Sequence, residues 1–445
     1  MLLFLRSNLP RQNNLGGRLS TDPKGGNTMT TLKGNLMFGQ SGGPTSVINA
    51  SAAGVFIEAL KHSDVIEKVY GAANGIVGIL NERFYDIGQE DPEELEMLKY
   101  TPSSSLGSCR YKLSDVNQDD SDYIRLLEVF KKYNIRYFLY NGGNDSMDTC
   151  NKISKFLQKS GYECRVMGVP KTIDNDLFGT DHCPGFASAA KYIATTTMEV
   201  YLDARVYDTG MICVIEVMGR HAGWLTAATR LANEKGCGPD LIYLPEVPFD
   251  VDKMVEDVIR IYEKNRKVIV AVSEGVHTKE GLFISEIGAG DDVSVDSFGH
   301  KQLGGTALVL ADILKKATGA KVRGIELSLM QRCASHCASQ TDIDESFMAG
   351  QTAVIKAIEG LTDYMIGFER VPGKNYKCEI DLIPLDEVAN TEKKVPRDWI
   401  NPAGNFVTDD FVDYALPLIQ NETCQQIVDG LPRFAKLKKI LVQKP

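Results

Sequence analysis

Short apolar strands alternate with amphipathic helices over roughly 330 residues of the chain, with short connections between them. The nearly all-apolar segment 211–217 is a clear example of a buried strand. This alternation is typical of parallel sheets that carry helices on both faces. The chain has 445 residues, enough for two or three domain-sized units. We therefore predict an α/β fold with two doubly wound, Rossmann-like domains and mainly parallel sheets.

Glycine and polar residues recur where the predicted strands end. The stretches are 40–46, 141–146 and 169–176, and the second is predicted to be a loop that leads into a helix beginning at Met147. In open α/β sheets, ligands bind at this edge. A strand followed by a glycine turn and a helix also directs backbone N–H groups toward a phosphate. We expect a site for an anionic ligand here.

Two carboxylates and a lysine lie close together in the third stretch. Asp174 and Asp176 are two residues apart, and Lys171 precedes Asp174 by three. One carboxylate can act as a base while the other orients a metal, and the lysine can hold an anion. The alternative interpretation is a polar turn with solvated acids.

Composition excludes several classes of protein. The formal net charge of -10 argues against a nucleic-acid partner. No apolar run approaches the length of a membrane span. The ten cysteines include no Cys-x-x-Cys pair, and Cys333, His336 and Cys337 give only weak zinc spacing. We predict reduced cysteines in a cytoplasmic protein.

Neither end of the chain carries a motif that matches the rest of the sequence. Residues 1–28 carry four basic residues and one acid, which fits either a targeting extension, a disordered tail or an upstream-start artefact. No motif in residues 381–445 assigns them to either domain. Their lysines, which include Lys393-Lys394 and the cluster 436–439, are expected to be solvated charges.

Taken together, the motifs closely resemble the phosphofructokinase family over about residues 33–360. The resemblance implies an active site in the cleft between two domains, and a metabolic kinase of glycolysis. It places the phosphoryl donor on residues 29–185 plus about 331–380, and the sugar on 186–330 plus part of the C-terminal segment. The motifs, in chain order, are Gly42-Gly43, Leu106-Gly107-Ser108-Cys109-Arg110, Gly142-Gly143-Asn144-Asp145-Ser146, Pro170-Lys171-Thr172-Ile173-Asp174-Asn175-Asp176, Met218-Gly219-Arg220, Glu274 and Gln331-Arg332.

The resemblance also implies a role for each matching residue. Asp174 would be the base that takes the proton from the 1-hydroxyl of fructose 6-phosphate, and Asn144 would stand at the Mg²⁺ position. Gly43, Arg110 and Lys171 would bind the donor. The fructose 6-phosphate site would consist of Thr172, Ile173, Asp174, Asp176, Met218, Gly219, Arg220, Glu274, Arg323 and Arg332.

Two residues point to the pyrophosphate-dependent branch of the family. Asp145 and Lys171 replace glycines that ATP-using members typically have at these positions. Asp145 fills and charges the space that an α-phosphate needs, which disfavours ATP. Lys171 adds a cation for a compact diphosphate donor. The implied catalytic set is Asp174, Lys171 and Asp145, and the implied reaction is reversible.

Several positions depart from the family pattern. Asn144 replaces the aspartate that usually holds Mg²⁺, while Leu329 and Met211 replace a histidine and an arginine of the 6-phosphate site. His336 or a basic residue of the C-terminal segment is the expected substitute. An ATP-dependent phosphofructokinase and a non-catalytic regulatory subunit remain alternatives. The resemblance implies a homo-oligomer, a dimer or tetramer, in which a neighbouring subunit supplies one of the two arginines Arg323 and Arg332.

Overall fold

The structure is a computed structural model that describes residues 32–289, 305–373, 375–389 and 391–444. Two β-sheets form the framework of the fold. The predicted extension 1–28 lies outside the described residues. The strands are β1 (Gly34–Gln40), β2 (Ile66–Ala72), β3 (Phe84–Asp86), β4 (Ile135–Gly142), β5 (Arg165–Pro170), β6 (Met211–Val217), β7 (Leu241–Tyr243), β8 (Lys267–Ser273), β9 (Lys321–Glu326), β10 (Tyr364–Arg370), β11 (Cys378–Pro384), β12 (Ile427–Val428) and β13 (Leu431–Pro432).

Helices cover both faces of the sheets. Six short 3₁₀ segments accompany the α-helices among the described residues, and the longest of them is Ala228–Lys235. The α-helices are α1 (Ile48–Lys61), α2 (Gly75–Leu80), α3 (Pro92–Met97), α4 (Ser121–Lys132), α5 (Asn144–Lys159), α6 (Phe186–Asp203), α7 (Trp224–Ala227), α8 (Val251–Asn265), α9 (Ile284–Ala289), α10 (Thr306–Thr318), α11 (Met330–Cys333), α12 (Gln340–Ile358), α13 (Leu385–Val388) and α14 (Asp409–Ala415).

The larger sheet has seven strands in the order β11-β10-β5-β4-β1-β2-β3. Its five inner strands pair in parallel, and only the edge strands β3 and β11 run antiparallel. The smaller sheet, in the order β7-β8-β6-β9, is parallel throughout. The predicted α/β architecture with mainly parallel sheets is therefore confirmed.

The central strands are buried because helices pack on both of their faces. Every residue of β1 and of β6 is buried, including the polar Asn35 and Gln40 of β1. On one face of the larger sheet, α1 and α12 cross at a pair of glycines. A Cβ added to Gly54 would lie 2.2 Å from the carbonyl oxygen of Phe347, and one added to Gly350 would lie 2.1 Å from that of Ser51. Only glycine permits the two helices to approach this closely.

One sequence-based prediction of secondary structure is wrong. The loop predicted over 141–146 ends early, because α5 begins at Asn144 rather than at Met147. Gly143 caps the helix in an extended conformation, and an acid in the first turn suits the positive end of the helix dipole. Outside the sequence-based predictions, β11 runs from Cys378 into the C-terminal region that the sequence left unassigned; it is an antiparallel edge strand whose mixed burial gave little apolar signal.

The last part of the chain returns to the opposite edge of the larger sheet. Val395, Ile400 and Phe411 pack among the helices beside the smaller sheet. Further on, Leu441 forms an antiparallel bridge with Tyr85 of β3. Within the described residues no helix combines the length and hydropathy of a membrane span. All ten cysteines are free thiols, as predicted.

Candidate active site

Three polar stretches meet at the carboxyl ends of β1, β4 and β5. The backbone N–H of Ser41 donates to the carbonyl of Asn141 at 2.9 Å, and that of Lys171 donates to Gly142 at 3.0 Å. The N–H of Gly42 donates to Cys109, on the loop that carries Arg110, at 3.0 Å. The fold therefore joins stretches that lie more than a hundred residues apart, at the edge where ligands bind.

The glycines of the first turn leave room for two cations. A Cβ added to Gly42, whose φ is +75°, would lie 3.3 Å from Nζ of Lys171. A Cβ added to Gly43 would lie 3.0 Å from Nη1 of Arg332. Any side chain here would displace these groups. Lys171 is only 4% exposed, so its charge is held inside the wall of the cleft.

The positive groups at this turn lower one another's affinity for protons. Burial lowers the pKa of Lys171 to about 8; Asp174 and Asp176 oppose the shift, and Arg110 and Arg332 add to it. Burial, followed by the charge of Arg110, likewise lowers the pKa of Arg332. An anion bound between these groups would relieve both effects, so the cluster is suited to a phosphate or diphosphate.

The two carboxylates hold protons more tightly than isolated acids do. Burial raises the pKa of Asp174, although Lys171 and Arg220 oppose the shift. Burial and then the charge of Asp174 raise the pKa of Asp176 to about 7. The backbone N–H of Asp174 donates to Oγ1 of Thr172 at 3.1 Å, which fixes the start of the loop. A carboxylate with a raised pKa is well matched to accept a proton from a hydroxyl near neutral pH.

Asn144 turns its amide nitrogen toward this acid pair. Its Nδ2 donates to Oδ2 of Asp176 at 2.9 Å. Its Oδ1 is buried and has no hydrogen-bond partner within the described part of the chain. A buried unpaired oxygen beside carboxylates is a suitable ligand for a hard divalent cation, so the residues fit a magnesium ion. Asp145 lies next to it in the first turn of α5.

The second wall of the site comes from the smaller sheet. The turn Met218–Arg220 follows β6, and the N–H of Gly219 donates to Oε1 of Glu274 at 3.2 Å. A Cβ on Gly219, whose φ is +131°, would lie 2.6 Å from the carbonyl oxygen of Ala222, so only glycine fits. Burial raises the pKa of Glu274 to about 7, with Asp174 adding to the shift. The charges of Arg220 and Glu274 thus act on Asp174, across the cleft between the sheets.

The two arginines predicted for the 6-phosphate lie in different places. Arg332 reaches the cluster beside Gly43, whereas Arg323 is exposed on the edge strand β9, opposite Cys213. His336 is also exposed and has an edge contact with Tyr192, with ring centroids 6.4 Å apart. Among the predicted site residues, those whose charges lie near enough to act on pKa values within the set are Arg110, Lys171, Asp174, Asp176, Arg220, Glu274 and Arg332.

Comparison with known proteins agrees with this geometry. The family described as Phosphofructokinase matches residues 35–325. This chain belongs to the phosphofructokinase family. The match spans β1 to β9 and therefore both walls of the cleft.

Similar phosphofructokinases cover nearly the whole chain. This chain is 43% identical over 413 residues to the pyrophosphate–fructose 6-phosphate 1-phosphotransferase of Halomonas elongata, and the alignment covers 92% of this chain and 97% of the relative. The enzyme of the same name from Methylococcus capsulatus is 42% identical with the same coverage. The crystal structure of pyrophosphate-dependent phosphofructokinase from Marinobacter aquaeolei has a TM-score of 0.83 and 41% identity, covering 93% of this chain and 98% of that one.

Sequence reasoning missed how this phosphofructokinase holds its acid loop. The prediction that Lys393 is a solvated charge is wrong: its Nζ donates to the carbonyls of Thr180 and Asp181 at 3.1 and 2.8 Å. Its backbone N–H donates to the carbonyl of Asp176 at 2.7 Å. Asn175, fully buried with a φ of +55°, donates from Nδ2 to Oη of Tyr414 at 2.8 Å. The asparagine between two acids was the one sequence signal of this loop's conformation.

Proposed function

We propose that this chain is a pyrophosphate-dependent 6-phosphofructokinase. It transfers a phosphoryl group from diphosphate to the 1-hydroxyl of D-fructose 6-phosphate, giving fructose 1,6-bisphosphate and phosphate in glycolysis and gluconeogenesis. The observation that carries the proposal is the buried Lys171, which lies beside Gly42 and is acted on by the charges of Asp174 and Asp176. The names of the similar phosphofructokinases support the choice of donor.

The chemistry follows from the charges of the cleft. Lys171, Arg110 and the N–H of Gly43 hold the diphosphate, and Asp174 accepts the proton of the 1-hydroxyl as its oxygen bonds to phosphorus. The bridging P–O bond breaks, and phosphate leaves beside Lys171. The reaction is expected to be reversible because the anhydride bond that breaks and the phosphate ester bond that forms are similar in free energy. Asn144 would hold Mg²⁺ through Oδ1, and the chemistry that the ion supplies is charge neutralisation on the phosphoryl oxygens.

We also propose where the sugar phosphate and the subunits lie. Residues 29–185 with about 331–380 would bind the donor, and 186–330 with part of the C-terminal segment would bind fructose 6-phosphate. Arg323, exposed on β9, would serve the cleft of a neighbouring subunit in a dimer or tetramer. The free thiols support a cytoplasmic enzyme. The fructose 6-phosphate site would consist of Thr172, Ile173, Asp174, Asp176, Met218, Gly219, Arg220, Glu274, Arg332 and the neighbouring Arg323.

The test offers fructose 6-phosphate and Mg²⁺ with either diphosphate or ATP and measures fructose 1,6-bisphosphate. We expect turnover with diphosphate, and a loss of about 10²–10⁴-fold in kcat for Asp174→Asn. Turnover with ATP alone would overturn the choice of donor. No turnover with either donor would favour the regulatory subunit.

The double variant Asp145→Gly/Lys171→Gly tests the basis of donor choice. It removes the charge that excludes an α-phosphate and the cation that holds diphosphate, so kcat/KM for diphosphate should fall at least about 100-fold. Activity with ATP should appear or rise. The exchange Asp148→Gly/Lys152→Gly removes a half-buried ion pair on the same helix, with its atoms 2.6 Å apart, and is the control for helix weakening. Full diphosphate activity in the first double variant would contradict the assignment.

A further inference from the structure

A buried histidine lies behind the acid loop, between two carboxylates. His182 is 1% exposed, and its ring stacks on Phe368 with centroids 4.9 Å apart and planes 9° apart. Its Nδ1 lies 2.9 Å from Oδ2 of Asp181, and its Nε2 lies 2.8 Å from Oε2 of Glu345. The histidine therefore joins the loop after β5 to helix α12.

The geometry fixes the charge of this ring. Both carboxylates already accept other bonds: Asp181 from Arg370 at 3.0 Å and Glu345 from the hydroxyl of Tyr376 at 2.6 Å. An ionised carboxylate can only accept hydrogen bonds, so each ring nitrogen must donate. A neutral imidazole has one N–H and can satisfy only one of the two acids. His182 is therefore an imidazolium, and its charge compensates the buried acids.

Short contacts link this pair of bonds to the catalytic carboxylates. The backbone N–H of Cys183, the next residue, donates to Oδ1 of Asn175 at 2.8 Å. The hydroxyl of Tyr414 accepts from Nδ2 of Asn175 and donates to the carbonyl of Asp181 at 2.7 Å. Asn175 lies between the two acids that face the substrate. A shift of Asp181 or His182 would therefore be passed to Asp174 and Asp176.

The same side chains could be read as a metal site, but the contacts argue against that reading. One ligand atom from each of His182, Glu345 and Cys378 lies within 4.8 Å of the others. Nε2 of His182, however, already donates to Glu345. Burial and then the charge of Glu345 raise the pKa of Cys378 to about 12, which disfavours the thiolate that a metal would bind.

We propose that His182 is a positioning residue, an imidazolium clamp that fixes the loop carrying the base Asp174 by donating to Asp181 and Glu345. This inference rests on the proposed phosphoryl transfer, because Asp174 is the base of that reaction. The clamp acts through the loop and does not touch substrate. It works only while the ring is charged.

The clamp has a definite pH dependence. Burial opposes the charge of His182, but Glu345 and Asp181 together raise its pKa from 6.5 to about 9. The stabilisation is therefore complete below about pH 6.5 and is lost as pH rises through about 9. The titratable and charged groups that face the ring or its two partners, by element, are Asp181 in the loop, Asp342 and Glu345 in α12, Arg370 in β10, Tyr376 and Cys378 at β11, Lys393 in the C-terminal segment and Tyr414 in α14.

The decisive variant is Glu345→Gln, compared with wild type from about pH 6.5 to about pH 10. Its amide can donate to a neutral ring nitrogen and still accept from Tyr376, so the neutral histidine becomes fully paired. In wild type we expect the thermal midpoint, and kcat at saturating substrates, to fall as pH rises through about 9. In Glu345→Gln both steps should be absent. His62→Gln, which alters a surface histidine 3.1 Å from Glu58, should behave as wild type.

A second pair of variants separates positioning from packing. His182→Gln should lower kcat about tenfold, with less change in KM for diphosphate, because the loop is displaced while the donor groups remain. His182→Gln/Glu345→Gln should recover part of kcat, since the carboxylate that lost its partner is neutralised. If His182→Gln does not fold, the comparison of Glu345→Gln with wild type still decides.

Three results would overturn the clamp. The first is a thermal midpoint and a kcat that fall through about pH 9 in Glu345→Gln as they do in wild type. The second is a thermal midpoint and a kcat that stay constant to about pH 10 in wild type. The third is a stoichiometrically bound metal ion in wild type that is lost in His182→Gln. Failure of the proposed function is a separate outcome. It would appear as no turnover with diphosphate in wild type, whereas the thermal midpoint needs no substrate and tests the clamp independently.

Discussion

Lys171 shows how much a single buried charge can decide in this cleft. It is 4% exposed, lies beside a glycine turn and faces two acids and two arginines. Its residue type was readable from the sequence. Its burial and its lowered pKa were not, because burial, the main cause of the lowered pKa, exists only in the folded chain, and Arg110 and Arg332 come from other parts of the sequence.

We predict that kcat/KM for diphosphate falls as pH rises through about 8. Below this pKa Lys171 is an ammonium that binds the anion, and above it the side chain is a neutral amine. The measurement is kcat/KM for diphosphate at constant ionic strength and saturating fructose 6-phosphate. The arginine of Lys171→Arg stays charged over this pH range. The fall in kcat/KM near pH 8 should therefore be absent in this variant, even if its activity is lower than that of wild type. A flat wild-type profile through this range would contradict the role of Lys171.

The proposed role of Asn144 as a Mg²⁺ ligand leads to a second prediction about a single residue. Asn144→Asp supplies a charged ligand in place of an amide oxygen, so the Mg²⁺ concentration at half-maximal rate should fall about tenfold. Asn144→Ala, which removes the buried Oδ1, should raise it by a similar factor. The exposed exchange Asn117→Asp adds the same charge outside the site and serves as the control. Equal Mg²⁺ dependence in all three variants would show that Asn144 does not hold the ion.

At the scale of elements, buried strands were predicted well and the boundaries that shape the site were not. The strand 211–217 has the predicted bounds, because a parallel strand covered on both faces must be apolar. The start of α5 was missed by three residues, since polar residues in a first helical turn resemble a loop. That difference places Asn144 and Asp145 on a rigid helix.

Glu82 joins two elements of the larger sheet's helical layer. It accepts hydrogen bonds from Arg125 at 2.6 Å, Lys132 at 2.8 Å and Tyr133 at 2.9 Å. The bonds from Lys132 and then Arg125 lower its pKa from 4.5 to about 2. Because the pKa is lower in the folded state, this stabilisation is present above about pH 4.5 and is lost as pH falls through about 2.

Glu82→Gln should therefore reduce the free energy of unfolding by about 2 kcal/mol at neutral pH, with a smaller difference in acid. Urea unfolding at several pH values measures it. Glu128→Gln removes a carboxylate from the same Arg125, but that acid is 62% exposed. The control should change stability by less than about 0.5 kcal/mol. Equal effects of the two substitutions would refute the burial argument.

At the scale of the whole molecule, the C-terminal segment binds both sheets. Lys393 supports the acid loop, whereas residues beyond Pro432 run along the edge of the larger sheet. There the N–H of Asp86 donates to Ile440 and the N–H of Val442 donates to Phe84, each at 2.9 Å. No sequence motif marked this path, because its contacts are mostly made by backbone groups.

A chain that ends after Pro432 should have a thermal midpoint lower by about 5 °C. The truncation removes both bonds to β3 and the bonds that Glu90 and Glu94 accept from the backbone of Lys436, Lys438 and Lys439. Differential scanning calorimetry measures the shift. Lys436→Ala retains the backbone and should leave the midpoint near wild type. An unchanged thermal midpoint in the shortened chain would show that the segment beyond Pro432 does not stabilise the β3 edge of the sheet.

The sequence by itself determined the α/β class and the family, because apolar periodicity and short motifs are local properties of a chain; the roles of the site residues stay predictions. Only the tertiary structure decided which charges meet. The burial that raises the pKa of Asp176, the bond from Asn144 to Asp176 and the bond between His182 and Glu345 exist only where separate elements pack together. Burial and distance set these energies, and both exist only once the strands and the C-terminal segment have come together.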